Sequence, residues 1–178
     1  MSVAPGADGS DGGDDRIRRL EQRLDAVESV LAIQELKARY GALVDARFAR
    51  GAVVDRDRLE LLARRAADLF CEDGTWDGGP GLGIARGRTE IAARLAAPTI
   101  VFSRHFFVTP TIAVDGDRAT GRWELLSPCT GSDGTSRWMA GAEDDVYRRV
   151  DGVWLHESMV LTTYFVSPAG AGWPRILS

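Results

Sequence analysis

The sequence predicts an α+β fold: a cone-shaped α+β barrel in which N-terminal helices pack on a curved antiparallel sheet around an internal cavity. Three observations predict it. Helix-period apolar spacing is confined to the part of the chain before about residue 96. Runs rich in Val, Ile, Trp and Tyr fill residues 103–165. Asp-Gly pairs punctuate those runs at Asp115-Gly116 and Asp151-Gly152. Asp-Gly between such runs is a strong hairpin signal, because a type I′ turn needs positive φ at both central residues.

The elements follow in order. Residues 1–15 are mostly Gly, Asp, Ser, Ala and Pro. Such a segment cannot bury enough apolar surface to offset its ordering entropy, so a disordered tail is expected. Residues 16–178 form a single domain, with 16–31 as an N-terminal helical extension. A helix is expected from Arg16 to about Ala49. Ile17, Leu20, Leu24, Val27 and Leu31 alternate spacings of three and four. That stripe either lies on its own domain or contacts a second subunit. Ile33, Leu36, Tyr40, Leu43 and Val44 continue as an apolar face. A second helix is expected over Asp57 to Phe70, with capping-box spacing at Asp57 and Glu60. A short strand follows at Thr75-Trp76-Asp77, then a Gly-rich turn from Gly78 to Gly83, then a third helix from Arg88 to Ala96. The Gly-rich segment lacks the strand-then-helix order of a phosphate loop.

The last third reads as a four-stranded meander, with a longer loop from Cys129 to Ser136. Tight turns fix which side chains share a face, since residues alternate along a strand. A two-residue turn at Asp115-Gly116 puts His105 and Phe107 on one face with Glu124 and Leu126. The turn at Asp151-Gly152 groups Glu143, Asp145 and Tyr147 with His156, Ser158 and Val160. The opposite face then carries Val146, Leu155, Met159 and Leu161. An apolar second face wants cover, which predicts a homo-oligomer, a dimer or a trimer.

Composition narrows the function. A formal net charge of -4 argues against nucleic acid as a partner. No stretch approaches the roughly 18 apolar residues of a membrane helix, and the N-terminus lacks the pattern of a signal peptide. Two cysteines, Cys71 and Cys129, are too few for a disulfide framework, so a reducing cytoplasm is the expectation. The two histidines lie far apart and no metal-ligand spacing occurs. No dinucleotide fingerprint is present either, so neither metal nor cofactor is expected.

The runs AIQELKARYGALVD, LFCEDGTWDGG, ARGRTEIAARL, SRHFFVTPTIAVDGDRA and DDVYRRVDGVWLHES, in that order, resemble the SnoaL-like branch of the nuclear transport factor two-like superfamily. The resemblance spans about Val30 to Phe165. It implies a cone-shaped fold with a cavity. It also implies relatives as diverse as scytalone dehydratase, bile acid dehydratase, hexachlorocyclohexane dehydrochlorinase, steroid isomerases and polyketide cyclases. In the dehydratase and dehydrochlorinase members an Asp ending the first helix pairs with a His on a later strand, and Asp45 and His105 match those positions. Tyr40 matches a Tyr of the bile acid enzyme, where the dehydrochlorinase has Lys. Both families carry an Arg on the last strand, and here Ser158 stands in its place.

These readings converge on a cofactor-independent, dehydratase-like lyase acting on a hydrophobic, cyclic or polyketide-like small molecule. His105 is the general base, oriented by Asp45, with Tyr40 assisting. By periodicity alone Asp45 would be a solvated acid, and His105 and Tyr40 core residues. Trp76, Phe107, Glu124, Glu143 and Ser158 are the candidate substrate contacts. An inward acid on a half-buried strand is costly unless paired, which singles out Glu124 and Glu143. Asp145 is expected to pair with Arg148, Arg149 or another subunit, and His156 to be structural. Isomerase, cyclase and non-catalytic binding module are the alternatives.

Overall fold

The structure is a computed structural model and describes residues 11–170. The first helix, α1, runs Asp11–Asp45. It starts earlier than expected, so 11–15 belong to the helix, while the rest of the expected tail lies outside the described residues. Its second half carries the buried face: Ile33, Leu36, Tyr40 and Val44 are in the core. Each such aliphatic side chain contributes about 1.5–3 kcal/mol when fully buried. In the first half, Ile17, Leu20, Leu24, Val27 and Leu31 are all more than half exposed, so the stripe does not lie on its own domain. That half is tied down instead by Arg149, which donates to Asp25 at 2.8 and 3.0 Å and to Ser29 Oγ at 2.9 Å.

Two short strands follow, β1 (Phe48–Ala49) and β2 (Ala52–Val53), paired with each other. Helix α2 spans Arg56–Ala67 and is capped by Asp55, whose carboxylate accepts from the Arg58 N–H at 3.0 Å. The cap therefore lies two residues before the expected Asp57. The helix ends at Ala67 because Phe70 already opens a strand, β3 (Phe70–Asp77). The Gly-rich turn leads into β4 (Ile84–Arg86), then α3 (Gly87–Leu95) and β5 (Ile100–Ser103).

The meander then appears as β6 (Phe106–Asp115), β7 (Arg118–Gly131), β8 (Ser136–Val150) and β9 (Val153–Pro168). One seven-stranded sheet results, in the order β4-β3-β9-β8-β7-β5, with β6 also paired to β7. Every pair is antiparallel except β3–β9, which is parallel and so makes the sheet mixed. Helix α1 packs against β6 and β9, and α3 against β3.

Two β-bulges decide which side chains face the interior. The first hairpin pairs Asp115 with Arg118, one residue later on each side of the turn's expected centre. That displacement alone preserves the facing. A register shift between Val108 and Thr111 does not: Thr109 adopts φ 45°, and beyond it Phe107 pairs with Leu125 while Val108 pairs with Glu124. Glu124 therefore faces away from Phe107. The second turn is placed as expected, with Val150 opposite Val153 and positive φ at Asp151 and Gly152. A bulge at Glu157 then leaves Tyr147 opposite His156 but puts Ser158 opposite Val146 and Met159 opposite Asp145. An extra residue in one strand reverses the alternation beyond it. Met159 and Leu161 therefore turn inward, contrary to expectation, and Ser158 and Val160 turn outward. Gly121 admits the Tyr147 ring to the sheet's inner face, since a Cβ there would sit 2.9 Å from ring carbon Cε2.

Candidate active site

A cavity of about 320 Å³ lies between the sheet and the helices, near the lower end of ordinary small-molecule sites. Tyr40 and Val44 of α1 line it, with Trp76 of β3 and Leu125, Glu143 and Leu161 of the sheet. His105 contributes from the two-residue break between β5 and β6, not from a strand as expected. The Gly78–Gly83 turn, closed by a Gly78 N–H to Gly83 carbonyl bond of 2.9 Å, supplies Pro80 and Leu82 to the wall.

Asp45 is the last residue of α1, at the end of the helix dipole that disfavours an acid. Three donors offset that cost. The His105 backbone N–H reaches both carboxylate oxygens, at 3.1 and 3.2 Å, and His105 Nδ1 lies 2.7 Å from Oδ1. Arg104 Nε adds a looser contact at 3.7 Å. A carboxylate can only accept, so Nδ1 carries a proton, and in the neutral ring Nε2 is the nitrogen with the lone pair. Asp45 is buried, while the His105 side chain remains 17% exposed, with its ring stacked on Phe107 at 5.9 Å. A carboxylate so placed fixes the tautomer and orientation of the ring.

Tyr40 is buried, and its hydroxyl oxygen accepts from Trp76 Nε1 at 3.0 Å. That bond leaves the Tyr40 proton available to another acceptor. Burial, reinforced by the negative charge of Glu143, raises its pKa strongly, so Tyr40 stays a neutral hydrogen-bond donor. Trp76 thus both lines the cavity and sets the Tyr40 hydroxyl.

The other charged cluster was missed from sequence. Lys37 is 1% exposed, with its ammonium 2.7 Å from Asp145 Oδ2 and in direct contact with Glu143 Oε2. Tyr147 donates to the same Asp145 oxygen at 2.7 Å, and Trp123 Nε1 donates to the Tyr147 oxygen at 2.9 Å. Burial works to lower the Lys37 pKa, but Glu143 and Asp145 outweigh it and the net shift is upward. Burial drives Asp145 up to about 6, with Lys37 opposing and Glu143 adding to the rise. The expected Asp145 partners are thus replaced by Lys37, while Arg148 pairs with Asp73 and Arg149 with Asp25. The signal was present: Lys37 stands four residues after Ile33 and three before Tyr40, on the apolar stripe itself.

Of the expected substrate contacts, Trp76 and Glu143 line the cavity, and Phe107 backs His105 and the Lys37 ammonium at 4.5 Å. Glu124 does not. It lies outside with Arg122 at 3.6 Å and Tyr164 at 3.3 Å, because of the bulge in β6. Ser158 does not either, because of the bulge at Glu157. His156 is structural in the way expected: it is fully buried among Phe70, Tyr40 and Tyr147, and burial lowers its pKa well below the ordinary value. Among the described residues no cluster of three or more His, Cys, Asp and Glu is placed to hold a metal ion. No described helix is long and apolar enough to cross a membrane.

A curved sheet closed by helices over a small, mostly apolar cavity is the architecture of a domain that takes up small molecules. The chain belongs to the SnoaL-like domain family, whose model matches residues 25–160. Solved structures agree in fold. A hexachlorocyclohexane dehydrochlorinase (LinA) Type2 superposes with a TM-score of 0.68 at 22% identity, covering 86% of this chain and 97% of that one. A candidate scytalone dehydratase from Novosphingobium aromaticivorans gives 0.64 at 19% identity, covering 84% and 97%. An NTF2-like protein with a cystatin-like fold from the same species gives 0.61 at 27% identity, covering 94% and 95%. Among curated proteins no match was found.

Proposed function

We propose that this protein is a cofactor-independent lyase of the dehydratase type, acting on a hydrophobic, cyclic or polyketide-like small molecule. One observation carries the reading: the 2.7 Å contact between Asp45 and His105 Nδ1 on the wall of the cavity. Family membership and the dehydrochlorinase and dehydratase neighbours support the same class of chemistry. His105 Nε2 takes a proton from a carbon next to a carbonyl, and the electron pair left behind forms a carbon–carbon double bond as hydroxide departs from the neighbouring carbon. The proton held by His105 leaves with that hydroxide as water, so the enzyme ends as it began. The Tyr40 O–H bonds to the substrate oxygen on which charge develops. A positioned base of this kind contributes about 10²–10⁴ in rate.

Without a leaving group, the same proton transfer gives isomerisation or aldol cyclisation. Incubating the protein in deuterated water with a panel of cyclic β-hydroxy ketones separates these outcomes. Loss of about 18 mass units, one water, supports elimination; a mass raised only by the deuterium taken up supports the alternative. Turnover should vanish in His105→Ala while the fold persists. Turnover that survives in that variant rejects the mechanism, and ligand binding without turnover in the native protein supports a binding module.

We also propose a homo-oligomer, dimer or trimer, working in the cytoplasm without nucleic acid or membrane partners. The exposed stripe of α1 and the outward Val160 are the surfaces that support it. Light scattering after size exclusion reads the mass directly, and a monomer at micromolar concentration contradicts it.

A further inference from the structure

We propose that Arg47 anchors a carboxylate on the substrate, so that the cavity takes an amphipathic acid and not a purely neutral hydrophobe. This deepens the reading of the cavity as the substrate site and rests on it. Arg47 lies two residues beyond Asp45, is 8% exposed and lines the same cavity as Tyr40 and His105. A buried cation is expensive unless compensated, so its partners need accounting. Nε donates to the Val44 carbonyl at 2.8 Å and Nη1 to the Leu95 carbonyl at 2.8 Å. These are carbonyls of the last turns of α1 and α3, whose partial negative charge holds the guanidinium in place. They use two of its five N–H groups.

The remaining N–H groups, including both on Nη2, have no protein acceptor among the described residues. Among the described residues no carboxylate forms an ion pair with Arg47: the charge of Asp45 favours the guanidinium, but its oxygens are turned to His105 and Arg104. Arg94, half-buried on the same wall, is likewise held by carbonyls, those of Leu82 at 2.8 Å and Ala97 at 3.2 Å. One end of an apolar cavity is therefore lined by positive charge with donors to spare. A planar guanidinium with free N–H groups suits a carboxylate, and such charge-assisted bonds are about twice as strong as neutral ones.

The test is binding, which does not depend on turnover. 2-Naphthoate and its neutral carboxamide, matched in shape, are titrated at constant ionic strength and followed by calorimetry. The native protein should prefer the carboxylate about tenfold or more, which is about 1.4 kcal/mol. Arg47→Met should abolish the preference, Arg47→Lys should keep part of it, and Arg94→Met should keep most of it. His105→Ala should retain the preference in full, so loss of turnover there and loss of discrimination in Arg47→Met report separate claims. Should Arg47→Met fail to fold, Arg47→Lys and Arg94→Met read beside the native comparison still decide. Equal binding of the two ligands by the native protein, or a preference that follows Arg94 instead of Arg47, overturns the assignment.

Discussion

The chain has two histidines, and the cone places both on its inside with opposite consequences. His105 has a carboxylate 2.7 Å from one ring nitrogen and a cavity beside it. His156 has aromatic rings on several sides, and its nearest carboxylate, that of Asp145, stands 3.8 Å away. Among the described residues neither His156 nitrogen has a hydrogen-bond partner. The positive charge of Lys37 adds to burial in keeping His156 neutral. What makes a histidine useful as a base is therefore not burial or position on a sheet. It is an acceptor that is free to balance the charge the ring will acquire. Asp45 bonds the ring itself and meets a cation, Arg104, only at 3.7 Å, whereas Asp145 is already committed to Lys37 and Tyr147.

Breaking the inner cluster should give the largest effect. Lys37→Met leaves Glu143 and Asp145 buried without their cation. Denaturant titration at neutral pH should show a loss of about 3–5 kcal/mol, the usual cost of removing one partner of a buried ion pair. A loss under about 1 kcal/mol contradicts the geometry.

Next in size is the pH signature of His156. Its folded pKa lies well below the ordinary value, so below about pH 6.5 the unfolded chain binds a proton that the folded one does not. Its contribution to stability is complete above that point and is lost as pH falls. The stability difference between the native protein and His156→Phe should therefore change by up to about 1.4 kcal/mol per pH unit below about pH 6.5. Asp145, raised to about 6, acts the other way. Its carboxyl contributes most below the unfolded carboxylate range, near 4, and that contribution is lost as pH rises through about 6. Asp145→Asn should flatten this second slope and leave the first.

A smaller effect is expected at the outer pair. Asp45→Asn keeps a hydrogen-bond acceptor but loses its charge, and should cost about 1 kcal/mol in the same titration while abolishing turnover. Smallest of all is Ser158→Arg. Its side chain faces away from the cavity, so stability should stay within about 0.5 kcal/mol, and naphthoate binding should not improve. Tighter binding there means that the bulge at Glu157 is misplaced.

Much of this was legible in the residues. Asp-Gly at 151–152 set one turn correctly, and the apolar spacing from Ile33 to Val44 marked the buried face of α1. Asp45, His105, Tyr40, Trp76 and Glu143 come together as a site. Glu124 and Ser158 were misassigned for one shared reason. Facing was counted from the turns, and a bulge part-way along each hairpin reverses the count without a strong local signature. Thr109-Pro110 was the best available hint, since Pro within a strand pattern marks an edge or a bulge. Lys37 sat on the apolar stripe and could have been found there. Arg47 could not, because its partners are carbonyls of two helix ends that only the folded chain brings together.

The central claim concerns one proton, and long-range ¹H–¹⁵N correlation of the histidine rings at neutral pH reads it without a substrate. The account predicts that the neutral form of the His105 ring carries its proton on Nδ1, with Nε2 bare, and that Asp45→Asn disturbs this tautomer while Lys37→Met does not. A His105 ring protonated at Nε2 alone, or a ring that ignores the loss of the Asp45 charge, contradicts it.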